Sequence, residues 1–290
     1  MNDVATIEIT NKFVTAIENG MADGKWTRPW AMGPNGFPTN PLTDYRYSGT
    51  NAFILLMNGG GYWATYKQWS EVGGQVQKGE RGTTVLRPII KKDPEGLLDD
   101  RLIGFATYAV FSLDQIDGWS PPTAGTADRP EFVDLTEAES FVAATGAKIV
   151  HSGETKREQA FYVPSKDYIN MPDKALFDDR EGYYSTLLHE LAHWSGHESR
   201  LDRELNTGRF GNEAYAVEEL VAELASTFLS AHLGVHQGFR ANHAKYLKSW
   251  LVVLKNDSKA LMTAASQAEK AFQYLSKFSN AQGGAQTSVA

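Results

Sequence analysis

The chain has 290 residues, a net charge of −7, 42% hydrophobic and 11% aromatic residues, and no cysteine. That length accommodates two ordinary domains, and the missing cysteines exclude disulfides and thiolate ligands, leaving His, Asp or Glu to hold any metal. The negative balance argues against coating nucleic acid by bulk charge, and no apolar run of membrane-spanning length or secretory leader is seen, so a cytoplasmic protein is expected.

In chain order, Ile7, Phe13, Val14 and Ile17 recur at helical spacing up to Gly20. A Gly/Pro/Asn-rich loop from Trp26 to Asn51 follows. Short helices are then expected at Ala52–Met57 and, after Gly59-Gly60-Gly61, at Ala64–Val72. Two β-like runs, Thr83–Ile90 and Leu102–Phe111, flank a polar turn at Lys91–Asp100. The Pro- and small-residue-rich stretch from Gly118 to Pro130 reads as a linker, with a boundary near residue 128. Beyond it, Thr136–Ala144 reads as a helix and Lys148–His151, Ala160–Tyr162 and Tyr168–Met171 as extended segments. Helices then run through Tyr183–Trp194, up to His232 from a cap at Asn212, Ala241–Lys255 and Ser258–Lys277. Asp178 and Glu181 have capping-box spacing before the first of these, and Asp257 caps the last. The expected class is α+β in two domains, 1–128 of mixed α and β, and 129–290 with a small sheet and a helical C-terminal part.

The segment His189-Glu190-Leu191-Ala192-His193 carries the chemistry. Residues four apart on a helix leave the same face about one turn, or 5–6 Å, apart, so both imidazoles can meet one ion. Glu190 is rotated by roughly 100° from His189, which places its carboxylate beside the ion. There it can take a proton from the attacking water and pass it to a leaving amine, the general acid–base role of the HExxH pattern. A third protein ligand is needed. Glu219, 26 residues after His193, is the first choice, with Glu223 one turn later orienting a ligating histidine, an arrangement similar to the gluzincin pattern. Glu223 is the rival ligand, and a solvated face made by Glu218, Glu219 and Glu223 is the bland alternative. His197 continues the four-residue spacing, but Gly196 interrupts the helix and Ser199 stands where the metzincin pattern needs histidine. His197 is therefore read as a helix-end residue. The expected metal is Zn2+, with another divalent ion open.

Residues 24–82 interleave aromatic and basic side chains, the composition that sequence-tolerant single-strand binding uses. Lys25, Trp26, Arg28, Trp30, Arg46, Tyr47, Lys67, Trp69, Lys78 and Arg81 are the candidate DNA-binding residues, as a surface. Packing of the same Trp and Tyr in a core is the competing reading.

Several segments together resemble one family. These are Gly24-Lys25-Trp26-Thr27-Arg28-Pro29-Trp30, Tyr47-Ser48-Gly49-Thr50-Asn51, Thr65-Tyr66-Lys67-Gln68-Trp69, Lys78-Gly79-Glu80-Arg81-Gly82, Tyr183 through Trp194, and Glu218 through Leu224. Over nearly its full length the chain resembles ArdC-type antirestriction proteins of conjugative plasmids. The resemblance implies a single-stranded-DNA-binding domain joined to a zincin-like metallopeptidase domain, and protection of incoming plasmid DNA from host restriction during conjugation. It leaves open whether peptidase activity is needed and whether a host protein such as a restriction enzyme is a partner. A free cytosolic zinc endopeptidase, or a binding protein with a structural metal, are the alternatives.

Overall fold

The structure, a computed structural model, describes residues 3–22, 37–91, 101–121, 134–151, 159–177, 179–203, 213–235 and 244–280. Helix α1 spans Asp3–Ala22 and buries Ile9, Phe13, Val14 and Ile17, the apolar stripe expected from spacing. A two-residue ladder, β1 (Thr39–Asn40) with β2 (Tyr45–Arg46), leads into α2 (Gly49–Met57). Gly49 opens α2 at φ +53, in the left-handed region that glycine adopts without a Cβ penalty, and its N–H donates to Glu269 at 2.8 Å.

The expected helix over Ala64–Val72 is shorter. Trp63–Thr65 forms strand β3, and only Tyr66–Glu71 is helical (α3). The switch occurs at Thr65, whose hydroxyl accepts from the Gln68 N–H while the Gln68 side chain accepts from the Thr65 N–H. This reciprocal cap satisfies two of the helix's otherwise orphaned donors. The two β-like runs pair as expected, β5 (Thr83–Lys91) antiparallel to β6 (Arg101–Ser112), with β3 on the other edge of β6. A small ladder, β4 (Gln75–Val76) with β7 (Ile116–Asp117), closes beside a satellite core of Ala64, Trp69 and Ile116.

The second half begins with α4 (Asp134–Thr145) and a three-stranded sheet. Its central strand β10 (Tyr168–Met171) runs parallel to β8 (Lys148–His151) and antiparallel to β9 (Phe161–Val163). Four helices follow: α5 (Arg180–Ser195), α6 (Glu213–Leu233), α7 (Ala244–Asn256) and α8 (Ala260–Asn280). The α5 cap is Asp179, which accepts from the Gly182 N–H at 2.6 Å; the expected cap, Asp178, lies outside the described residues, as does Asn212. Asp257 does cap the turn before α8, accepting from the Lys259 N–H at 2.8 Å.

The described residues combine helices and small sheets, the α+β class expected. The main core is continuous between the halves. Helix α2 packs on α8 and α1 on α7, so Phe13, Phe53, Leu55 and Leu56 join one buried cluster with Leu224, Phe228, Leu261 and Phe272. Polar contacts cross the same junction: Thr10 Oγ1 donates to the Ser258 carbonyl at 2.8 Å, and Lys255 pairs with Glu18 at 2.6 Å. The expected boundary at residue 128 lies outside the described residues.

Candidate metal centre

Helix α5 is buried nearly all round rather than along one stripe. Tyr183, Tyr184, Leu187, Leu188, Leu191 and Trp194 are core residues, with β9 and β10, α6 and α8 packed around it. The two histidines and Glu190 are therefore largely sheltered from water, with the imidazole side chains 11% and 13% exposed. The helix end is fixed by Arg200, whose guanidinium stacks 3.8 Å from the Trp194 ring centroid and donates to the Trp194 carbonyl at 2.6 Å. The same guanidinium forks onto both oxygens of Asp167, in the turn between β9 and β10, at 3.0 and 2.5 Å. This anchors α5 to the sheet.

Helix α6 crosses α5 and brings three carboxylates to the imidazoles. His189 Nε2 lies 3.6 Å from Glu219 Oε2, and His193 Nε2 lies 3.5 Å from Glu219 Oε1. Both Nε2 atoms thus converge on one carboxylate, and the ligand atoms of His189, His193 and Glu219 all lie within 4.8 Å of one another. On the far side of each ring, His189 Nδ1 lies 3.5 Å from Glu223 and His193 Nδ1 lies 3.1 Å from Glu218. The residue at Glu219 is 5% exposed and that at Glu223 is 0%, so a solvated carboxylate face is not what α6 presents here.

The local charge asks for a cation. Among the described residues Glu190, Glu218, Glu219 and Glu223 surround two imidazoles, and the Arg203 guanidinium is hydrogen-bonded to Glu218 alone of the four. Burial alone would pull the His189 pKa down, but hydrogen bonds to Glu219 and Glu223 and the charge of Glu190 push it up to about 9. Burial would raise Glu219; hydrogen bonding to His189, the neighbouring imidazole charges and a hydrogen bond from Tyr215 instead hold it down at about 2. Two imidazole nitrogens and one carboxylate, each ring backed by a second carboxylate, are the donor set and orientation that a tetrahedral divalent ion with one open position requires.

Sequence reasoning missed three participants. Glu218 was visible only as part of an acidic run. Arg203 lies beyond a turn whose path the sequence does not announce. Tyr215, one turn before Glu219, carried the signal of i,i+4 spacing. His197 contacts Ser199 locally, with Oγ at 2.8 Å from its Nδ1. His151 stacks on Tyr183 and its Nε2 lies 3.0 Å from the tyrosine hydroxyl; His236 and His243 lie outside the described residues.

The DNA-binding candidates separate into three groups. Lys25, Trp26, Arg28 and Trp30 lie outside the described residues. Arg46, Tyr47 and Trp69 face inward, against the expectation of a contact surface. The Arg46 guanidinium sits 3.7 Å from the Phe37 centroid and 4.6 Å from that of Phe272, with Nη1 3.2 Å from His232 Nδ1. Tyr47 donates to the Trp63 carbonyl at 3.1 Å, and the fully buried Trp69 indole donates to the Phe111 carbonyl at 3.0 Å. Their rings are packing groups whose polar ends found backbone partners. Lys67, Lys78 and Arg81 are exposed, and of the aromatics interleaved with them in the sequence Tyr45, Tyr62 and Tyr66 are exposed as well.

Comparison with known proteins gives two consecutive family matches. Residues 4–111 match the N-terminal domain of the anti-restriction factor ArdC, and residues 136–267 a zincin-like metallopeptidase. An uncharacterized protein, y4eC, of Sinorhizobium fredii is 37% identical over 90% of this chain and 88% of its own. Two DNA primase TraC proteins of Escherichia coli are 36% and 37% identical, and this chain spans only 27% and 20% of their length. Crystal structures of the antirestriction ArdC protein from plasmid R388 superpose with TM-scores of 0.73 for the metal-free form and 0.75 for the Mn(II)-bound form. Identity to them is 37% and 35%, over 94% and 95% of this chain and 97% and 98% of theirs. With such identity along nearly the whole of both chains, and both family segments in the same order, the chain belongs to the ArdC antirestriction family and joins an ArdC-type N-terminal domain to a zincin-like domain.

Proposed function

We propose that this protein binds single-stranded DNA and carries a divalent-metal site of metallopeptidase type, and that it protects incoming plasmid DNA from host restriction during conjugation. The observation that carries the metal reading is the convergence of two Nε2 atoms on Glu219 while both Nδ1 atoms face other α6 carboxylates. In this reading His189, His193 and Glu219 hold the ion, Glu223 orients His189, and Glu190 is the general acid–base. Zn2+ fits a site of two imidazoles and one carboxylate, and Mn2+ is the competing occupant. A divalent ion held by His189, His193 and Glu219 would supply Lewis acidity toward a peptide carbonyl. Glu190, buried beside His189, is placed to hold the proton that the reaction moves.

Single strands are read as meeting the exposed side chains of Tyr66, Lys67, Lys78 and Arg81. Tyr66 is 51% exposed, its hydroxyl accepts from Gln75 Nε2 at 3.2 Å, and its ring meets Phe111 edge-on at 6.4 Å. A ring held in place yet exposed is a stacking platform that needs no base-specific contact. The chain is expected to be cytoplasmic, and among the described residues no helix is long and apolar enough to cross a membrane. The test of the metal reading is metal content of the purified full chain against His193→Ala: about one ion per chain is expected for the parent protein and near none for the variant. Equal contents would refute the ligand assignment. Anisotropy titration of the full chain with labelled oligothymidine tests the second reading, and no measurable affinity would sink it.

A further inference from the structure

After α5 ends at Ser195 the chain doubles back. Leu201, Asp202 and Arg203 donate backbone N–H groups to the carbonyls of Ser195, His197 and Gly196 at 3.1, 3.0 and 2.9 Å, with Asp202 in the left-handed region at φ 48. This turn returns the Arg203 side chain to the last turn of α5. There its Nη2 donates to the Ala192 carbonyl at 2.6 Å and its Nη1 to Ser195 Oγ at 3.1 Å. The same guanidinium forks onto Glu218 of α6, Nε to Oε2 at 3.1 Å and Nη2 to Oε1 at 2.9 Å. Glu218 Oε1 in turn lies 3.1 Å from His193 Nδ1. The side chains are 7%, 12% and 13% exposed, so the contacts are largely sheltered from water.

We propose that Arg203 and Glu218 are positioning residues of the metal centre: Arg203 locks the Glu218 carboxylate in the plane where it accepts the His193 Nδ1 proton, which presents Nε2 to the ion. The inference rests on the metal-site reading above. A ligating imidazole must hold one tautomer and one ring angle, and an acceptor on the far nitrogen fixes both. Glu223 stands in the corresponding place for His189, but it is wholly buried within α6. Glu218 sits closer to the edge of the site, where a free carboxylate would swing toward water. The fork removes that freedom, because a planar guanidinium with two parallel contacts defines an orientation that a point charge does not. Anchoring of Arg203 on the Ala192 carbonyl, one residue before His193, closes the loop and ties the ring to its own helix end.

The experiment measures Zn2+ affinity of the full chain by competition with a chromophoric chelator, and the absorption spectrum of the Co2+-substituted protein. Glu218→Ala and Arg203→Met are expected to bind Zn2+ about 10- to 100-fold more weakly and to show altered Co2+ bands. Arg203→Lys, which keeps charge and bulk but loses the fork, is expected to fall short of the parent as well. Because Arg203 acts through Glu218, adding Arg203→Met to Glu218→Ala should weaken binding by less than about threefold more. Circular dichroism of the metal-free variants monitors folding, and should Glu218→Ala be unfolded, the isosteric Glu218→Gln and Arg203→Lys carry the comparison. Folded variants with Zn2+ affinity within about threefold of the parent and an unchanged Co2+ spectrum overturn the inference, while His193→Ala still abolishes binding. Retention of Zn2+ by His193→Ala instead overturns the ligand assignment itself, and this inference with it.

Discussion

His189 is held as an imidazolium well into the alkaline range by Glu219 and Glu223, with a pKa of about 9. A divalent ion needs its Nε2 unprotonated, so at neutral pH binding must displace one proton from this ring. An imidazole at its ordinary value near 6.5 would give affinity almost independent of pH above 7. Here apparent affinity should rise by about tenfold per pH unit from 7 toward 9, or about 1.4 kcal/mol per unit, and flatten above 9. Glu219, at about 2, is already ionised and adds no proton to the count. The linkage also fixes the sign for the metal-free protein. A raised folded-state pKa contributes stability that is complete below 6.5 and lost as pH rises through about 9, so the metal-free form weakens across the window in which metal binding strengthens. Titration calorimetry at pH 7.5 in buffers of different ionisation heat counts the released protons directly. About one proton per ion is expected; none released, with flat affinity from pH 7 to 9, would refute the reasoning.

Glu190→Gln keeps the shape of the side chain but cannot accept a proton, so any peptidase activity should fall by about 10²- to 10⁴-fold with metal content unchanged; parallel assays of cleavage and bound metal check this. Leu188→Ala removes a wholly buried side chain of α5 and should lower stability by about 2–5 kcal/mol, read from denaturant melts. For the nucleic-acid face, Tyr66→Ala should weaken binding to oligothymidine by about 1–3 kcal/mol, while Trp69→Ala should act mainly on the melting temperature.

The parts of this structure that were legible are those written locally. The histidine pair and Glu190 share one turn of one helix, and the two long strands are β-branched and aromatic runs on either side of a polar turn, which pair as a hairpin. Glu219 was reachable because its spacing to Glu223 places both on one face of α6. What escaped depended on three-dimensional return paths. Arg203 meets Glu218 because the turn after α5 reverses, and nothing between Gly196 and Arg203 announces that reversal. Tyr47 and Trp69 were assigned to a contact surface from composition, which does not say which way a ring faces. Their hydroxyl and indole N–H groups found carbonyls inside the fold, and burial followed. The parallel pairing of β8 with β10, leaving β9 at the edge, likewise rests on tertiary contacts that short apolar runs do not encode.

The continuous core changes what separating the halves should do. A flexible linker between independent domains would leave each fragment stable. Yet Phe53, Leu55 and Leu56 of α2 are buried in the cluster that α8 completes, and Arg46 lies between Phe37 and Phe272 across the same junction. Each large apolar side chain returned to water costs about 1.5–3 kcal/mol, so uncovering even three or four approaches the stability of a whole domain. A 129–290 fragment is therefore expected to melt well below the full chain and to bind Zn2+ more weakly, since metal binding is coupled to the folded state. Supplying the 1–128 fragment in trans should restore part of both. If the isolated 129–290 fragment melted and bound Zn2+ as the full chain does, the junction would be a contact between finished domains, and the core argued for here would be two cores that merely touch.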